Sequence, residues 1–190
     1  LLDLTKATIA IEGFGAVGKA AAKFLTQKGA TIVAVSDSKG ATYQPTGLDY
    51  EKLLKTKENT GAVKNYPSAQ TITNEALFQL SVDILIPGAR PDVITNKNVR
   101  NIKATLIVEA ANIPVTPEAE RILHDRGILV VPDFIANAGG LITAAVEYRG
   151  GTENEAFKTI EDKIAKNTKL VLDTAKNQKI LPRTAAEKIA

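Results

Sequence analysis

The sequence predicts an α/β protein: a doubly wound, mainly parallel sheet followed by a C-terminal helical extension. Short β-branched or apolar runs alternate with helical periods as far as Gly150, and beyond Gly151 strand signals stop while helical ones continue. The third observation is a glycine-rich turn, "GFGAVG" at 13–18, directly behind the first apolar run.

Residues 8–12 read as a buried strand. Residues 19–28 read as a helix with Ala20, Phe24 and Leu25 on one face, stopped by Gly29. A second β-branched run covers 31–35, after which "SKGATYQPTG" reads as a turn-rich loop and "LDYEKLLKTKE" as a helix. "VDILIP", "ATLIVEA" and "GILVVP" are further strands of the fully buried type. Helices between them start at Thr73 ahead of "NEALFQL", at Thr95 ahead of "NKNVRN", and at Thr116, where Pro117 takes the first helical position. From 152 to about 177 a long helix carries Phe157, Ile160, Ile164, Leu170 and Val171 at helical spacing. Pro182 interrupts it, and "RTAAEKIA" begins another helix. The expected organisation is therefore a sheet domain over 1–150 and a helical extension over 151–190.

A chain of 190 residues can bury one substantial core. Its 24 Lys and Arg against 21 Asp and Glu leave a net charge of +3, too small and too evenly spread to point to nucleic acid or a membrane surface. No run approaches a membrane span, and "LLDLTKATIAIEG" has neither a basic n-region nor a long apolar h-region, so a cytoplasmic location is expected. Cysteine is absent, which excludes disulfides and thiolate chemistry from this chain, and with His124 as the single imidazole no metal site is expected. Methionine is absent too, even at position 1, and the last helix has no stop signal. Both features suggest a piece of a longer protein.

Gly13, Gly15 and Gly18 form G-x-G-x-x-G between a predicted strand and a predicted helix, and Asp37 ends the next strand. That context is what a dinucleotide needs: one glycine for the turn, one for close approach of the pyrophosphate, one for helix–strand packing, and a helix N-terminus with free N–H groups. The fold is accordingly expected to be of Rossmann type, with Asp37 accepting hydrogen bonds from a ribose hydroxyl. The other reading of Asp37 is a solvated strand-end carboxylate.

Ligands of open parallel sheets sit beyond the carboxyl ends of the strands. "IPGARP", "EAANIP" and "PDFIANAGG" fall there. Asn112 and Asn137 carry amides that can both donate and accept, suited to ribose hydroxyls and a carboxamide. Their rival role is local, and for Asn137 an N-cap ahead of the next helix competes evenly. Arg90 is a candidate phosphate partner or a solvated loop arginine. His124 reads as a surface residue.

Together "GFGAVG", "VAVSDSKGATYQPTGLDYEKLLK", "ITNEALFQLSVDILIPGA", "VITNKN", "LIVEAANIPVTPEAERILHDRGILVVPDFIANAGG" and "RTAAEKIA" resemble the coenzyme-binding domain of glutamate dehydrogenases, over nearly the whole chain. The resemblance implies oxidative deamination of an L-amino acid to a 2-oxo acid and ammonia, with hydride passing to NAD or NADP. It implies that Gly13, Phe14, Gly15, Ala16, Val17 and Gly18 line the pyrophosphate, Asp37 and Ser38 the adenosine ribose, Ala89 the cofactor through its backbone, and Asn112 and Asn137 the nicotinamide half. The helix after Gly151 would be the pivot between two domains, the last helix would return to a substrate domain, and the parent would be a homo-oligomer. The catalytic lysine and its aspartate would lie ahead of Leu1, so no catalytic residue is assigned here.

The chain departs from the pattern at two positions. Ala16 stands where the family often has Asn, and Ala144, beside Thr143, where many glutamate enzymes have Ser. "NAGGLI" leans toward the branched-chain amino-acid dehydrogenases. A nucleotide-sensing module without redox chemistry, or a purely structural domain, remains the alternative. For cofactor choice, Asp37 opposes a 2′-phosphate while Ser38 and Lys39 compensate, so NAD is expected to be preferred only modestly over NADP.

Overall fold

The computed structural model describes residues 2–189. Strands Thr8–Glu12 (β1), Thr31–Asp37 (β2), Gly40–Tyr43 (β3), Gln70–Ile72 (β4), Ile84–Pro87 (β5), Leu106–Val108 (β6) and Leu129–Val131 (β7) form one sheet in the order β4-β3-β2-β1-β5-β6-β7. Pairings among β2, β1, β5, β6 and β7 are parallel, while β3 and β4 join antiparallel at one edge. The helices are Ala16–Gln27 (α1), Tyr50–Thr60 (α2), Asn74–Leu77 (α3), Pro117–Asp125 (α4), Asp133–Ala136 (α5), Gly139–Tyr148 (α6), Glu153–Gln178 (α7) and Pro182–Ile189 (α8).

Alternation along each strand feeds two cores, one per face of the sheet. Ile9, Ile11, Ile84 and Ile86 pack with Ala22 of α1 and Leu53 of α2. Ala10, Leu85, Ile107 and Val130 pack on the other face with Leu77 of α3 and Leu123 of α4. Each fully buried aliphatic side chain of this kind contributes about 1.5–3 kcal/mol. β1 is followed to one side by β2 and β5 continues to the other, so the strand order reverses between β1 and β5. A crevice at the carboxyl ends of those two strands follows from that reversal.

The doubly wound, mainly parallel sheet is as the alternation predicts, and Thr73 and Thr116 cap their helices as expected; the long helix is capped as well, by a reciprocal box between Thr152 and Glu155. Several elements differ. "SKGATYQPTG" is not all loop: residues 40–43 pair with β2, and Gln70–Ile72 extends the edge. Both strands are short, and β4 lies largely exposed, so neither carries the apolar run that marks a buried strand. Thr95 starts no α-helix. The Asn98 side chain accepts from Thr95 N–H and donates to the Val93 carbonyl, holding a turn that ends in one 3₁₀ turn at Val99–Asn101.

Helix α1 begins earlier than predicted and turns only part of the predicted face inward: Leu25 packs against the core, but Ala20 and Phe24 do not. Gly18 and Ala22 are its buried residues, while Ala20 is exposed and Phe24 is half-exposed, edge-on to Phe157 of α7 with ring centroids 6.4 Å apart. Along α7 only Ala156, Val171 and Ala175 are buried, and Phe157 and Leu170 of the predicted apolar line are exposed. Asn137 is not an N-cap: it closes α5, and α6 starts behind Ala138 without any side-chain cap. Among the described residues no helix is long and apolar enough to cross a membrane, and no group of His, Cys, Asp and Glu side chains is arranged to hold a metal ion.

Candidate cofactor site

The loop after β1 owes its shape to two of its three missing Cβ atoms. Gly13 sits at φ +98°, a conformation L side chains rarely adopt, and a Cβ there would lie 2.8 Å from the Cβ of Ala89. A Cβ on Gly18 would lie 1.8 Å from the Gly13 carbonyl oxygen, so α1 can seat against the loop only at a glycine. Gly15 is different: a Cβ there would meet nothing within 4 Å. Its lack of a side chain serves no packing within this chain and leaves the backbone open where α1 begins, at a helix end with no side-chain cap. Helix N-termini of this kind favour anions. Ala16 and Val17 are exposed beside it.

Neighbouring backbone is tied to this loop by buried polar groups. Gly13 N–H donates to Ser36 Oγ at 3.2 Å. Glu12 Oε2 accepts from Gly88 N–H at 3.1 Å and Ala89 N–H at 3.0 Å, which fastens the turn after β5 against the glycine loop. Burial pushes the Glu12 carboxyl above its usual range against those two N–H bonds and the charge of Arg90. A cleft of about 1240 Å³ opens over these groups, lined among others by Gly13, Phe14, Gly15, Asp37, Ser38 and Ala89, with Arg90 also on its wall.

Asp37 ends β2 at the cleft, buried, and is already heavily used by the protein. Its Oδ1 accepts from Lys39 N–H at 2.7 Å, and its Oδ2 from Val63 N–H at 2.8 Å and from Lys57 Nζ at 2.7 Å. Burial opposes ionisation, but Lys57 and the two N–H donors outweigh it and hold the carboxyl below its usual range. Sequence reasoning missed Lys57, which is one of several lysines on a polar helix and reaches Asp37 only because α2 packs back over the end of β2. Ser38 is exposed beside it.

At the far side, Asn137 Nδ2 donates to Asn112 Oδ1 at 2.8 Å. Asn112 Nδ2 and Asn137 Oδ1 are thereby left as one donor and one acceptor, the complement of a carboxamide. This pair is not in the lining of the large cleft and stands beyond β6 and β7. His124 is exposed near the end of α4, as expected for a surface residue. Thr143 spends its hydroxyl on the Gly139 carbonyl, and Ala144 is exposed on α6.

The model of the Glutamate/Leucine/Phenylalanine/Valine dehydrogenase family matches residues 1–190. The chain belongs to this family. A glutamate dehydrogenase of Aeropyrum pernix is 48% identical over 171 residues, 87% of this chain and 41% of the relative. An NAD-specific glutamate dehydrogenase of Staphylococcus aureus is 41% identical over 97% of this chain and 46% of the relative. Among solved structures, a hetero-hexameric glutamate dehydrogenase from Thermus thermophilus, in a leucine-bound form, superimposes with a TM-score of 0.86 at 31% identity, over 97% of this chain and 45% of that one. An L-tryptophan dehydrogenase from Nostoc punctiforme does so with a TM-score of 0.77 at 28% identity, over 97% and 50%.

The chain spans less than half the length of the curated relatives it matches. Within this family member the glycine loop and Asp37 share one cleft and the asparagine pair stands apart; Glu12, Ser36 and Lys57 line the cleft and were not singled out in the sequence, nor was Arg183, which pairs with Glu109, Glu120 and Asp133 outside it. Arg183 lies in the quoted "RTAAEKIA", but nothing in its helical spacing signals that it turns inward.

Proposed function

We propose that the chain is the coenzyme-binding part of an amino-acid dehydrogenase, holding NAD or NADP for oxidative deamination of an L-amino acid to a 2-oxo acid and ammonia. The observation that carries this reading is the open backbone at Gly15, framed by two glycines that packing does require. An anion seated there would take the N–H groups of the first turn of α1 and its positive dipole end. Phe14 and Ser38 flank the cleft, Ala89 contributes backbone, and Asn112 and Asn137 offer the carboxamide its donor and acceptor. When bound, the nicotinamide supplies the hydride acceptor. The chain's own part is to bind and orient it.

Residues 1–150 would carry the cofactor and 151–190 would connect to a substrate domain. The catalytic base would come from polypeptide outside this sequence, since no lysine of this chain stands at the cleft in a setting other than an ion pair or a solvated surface. A cytoplasmic oligomer suits this reading, and the Thermus thermophilus relative is hetero-hexameric. Glutamate is the first choice of substrate because the curated relatives named above are glutamate dehydrogenases. Ala144 and "NAGGLI" make a branched-chain amino acid the competitor.

For cofactor choice, Lys57 neutralises Asp37 at 2.7 Å and sets an ammonium beside the ribose end of the cleft, which supports dual use with a modest preference for NAD. Titrating NAD and NADP into the wild type and Lys57→Ala tests this. The variant is expected to lose NADP affinity by about tenfold and to keep NAD within about threefold. A wild type that strongly prefers NADP, with Asp37→Ala making no difference, would remove Asp37 from the ribose site. Steady-state assays of this chain and of the complete protein with glutamate, leucine and valine test the rest. Turnover is expected from the complete protein and not from this chain alone, because hydride transfer needs substrate and nicotinamide held together with a base in reach. Binding without turnover in both would favour the sensing module.

A further inference from the structure

Away from the glycine loop, Arg183 of α8 gathers three carboxylates from three different elements. It donates from Nη2 to Glu109 Oε2 at 2.7 Å, from Nε to Glu120 Oε2 at 2.9 Å and from Nη1 to Asp133 Oδ1 at 3.0 Å. Glu109 follows β6, Glu120 lies on α4, and Asp133 opens α5. The three carboxylates are buried, and Arg183 itself is four-fifths buried.

The partners are not equivalent. Among the described residues the Glu120 carboxylate accepts a hydrogen bond from Arg183 alone. Asp133 continues the connection in two directions: its Oδ2 accepts from Ile113 N–H at 2.8 Å, and its carbonyl accepts from Asn137 N–H at 2.7 Å. Ile113 adopts φ +48°, a left-handed backbone that a β-branched residue rarely takes, so the bond from its N–H holds a turn with little preference of its own. That turn carries Asn112. Both members of the asparagine pair are therefore hung on Asp133, and Asp133 is fixed by Arg183 and by its own N–H to Glu109 Oε2 at 2.8 Å.

We propose that Arg183 is a positioning residue for the nicotinamide half of the cofactor, acting through Asp133 on the Asn112–Asn137 pair. This rests on the reading above that the pair receives the carboxamide. An arginine that merely anchors α8 would use all three carboxylates alike, whereas a positioning role makes Asp133 special and Glu120 dispensable.

The test compares binding of NADH with binding of ADP-ribose, which shares every part of the cofactor except the nicotinamide, in the complete protein that carries this chain. Arg183→Lys keeps the charge but not the planar fork, and Asp133→Asn keeps the shape but breaks one of the two links. Each is expected to weaken NADH by about tenfold while ADP-ribose changes by less than about twofold. Glu120→Gln is expected to move neither ligand beyond about twofold, and Asn112→Ala should reproduce the selective loss. If Arg183→Lys fails to fold, as its thermal melt reports, the Asp133→Asn and Glu120→Gln comparison decides alone. Selective loss in Asn112→Ala, with Asp133→Asn weakening both ligands equally or neither, would overturn the positioning role and leave the carboxamide reading standing. An unchanged NADH to ADP-ribose ratio in Asn112→Ala would overturn both.

Discussion

The glycine loop and the asparagine pair, the two halves of the proposed cofactor site, are built in two different ways. At the loop, the geometry is carried by backbone and by absent side chains: Gly13 and Gly18 are packing requirements within a stretch of six residues, and Gly15 is a vacancy. At the pair, the side chains are present and polar, and their placement depends on an arginine 50 residues further along the chain than Asp133. The first is local and rigid by sterics. The second is tied to buried charge through Asp133 and Arg183.

The largest effect that would sharpen this contrast is on stability. Arg183→Met should cost about 3–5 kcal/mol, because three buried carboxylates lose their cation at once. Denaturant unfolding of the variant against wild type measures it, and a cost below about 1 kcal/mol would mean the cluster is solvated in solution. Next in size, Gly18→Ala should cost about 3 kcal/mol, since its Cβ would meet a carbonyl oxygen rather than a side chain that can swing away. Gly15→Ala, three residues earlier, should leave the melting temperature within a degree or two while weakening cofactor binding by about tenfold, because its φ of −87° suits alanine and only a ligand would meet the methyl group. Equal loss of stability in the two alanine variants would break the division between packing glycine and ligand glycine.

The smallest expected effect concerns pH. Burial raises the Glu109 carboxyl from 4.5 to about 7, against the pull of Arg183. A carboxyl whose pKa is higher in the folded state binds more protons folded than unfolded between those two values. Its contribution to stability is therefore full below pH 4.5 and is lost as pH rises to about 7. Glu109→Gln should remove this part of the profile. The wild-type stability minus that of the variant is expected to fall by on the order of 1 kcal/mol between pH 5 and pH 8. Asp37, whose carboxyl is lowered and lies away from the cluster, contributes the opposite slope at acid pH, and the subtraction cancels it; Asp133, which shares Arg183 with Glu109, is lowered too and titrates below the window compared. A difference that rises with pH would show Glu109 ionised throughout.

What the sequence determined by itself was the alternation of strands and helices, the glycine loop in its strand-to-helix context and the long helix after Gly151, because each is written in residues within a few positions of one another. Continuous apolar runs, helical spacing and three glycines at fixed intervals need no distant partner to be read. The tertiary structure alone decided the edge strands β3 and β4, the inward face of α1, the turn that replaced a helix after Thr95, and the ion pairs of Asp37 with Lys57 and of Arg183 with its three carboxylates. Those features share a physical cause. A polar residue on a helix looks the same in sequence whether it faces water or a buried charge 20 or 74 residues away, and only packing decides which of the two it meets.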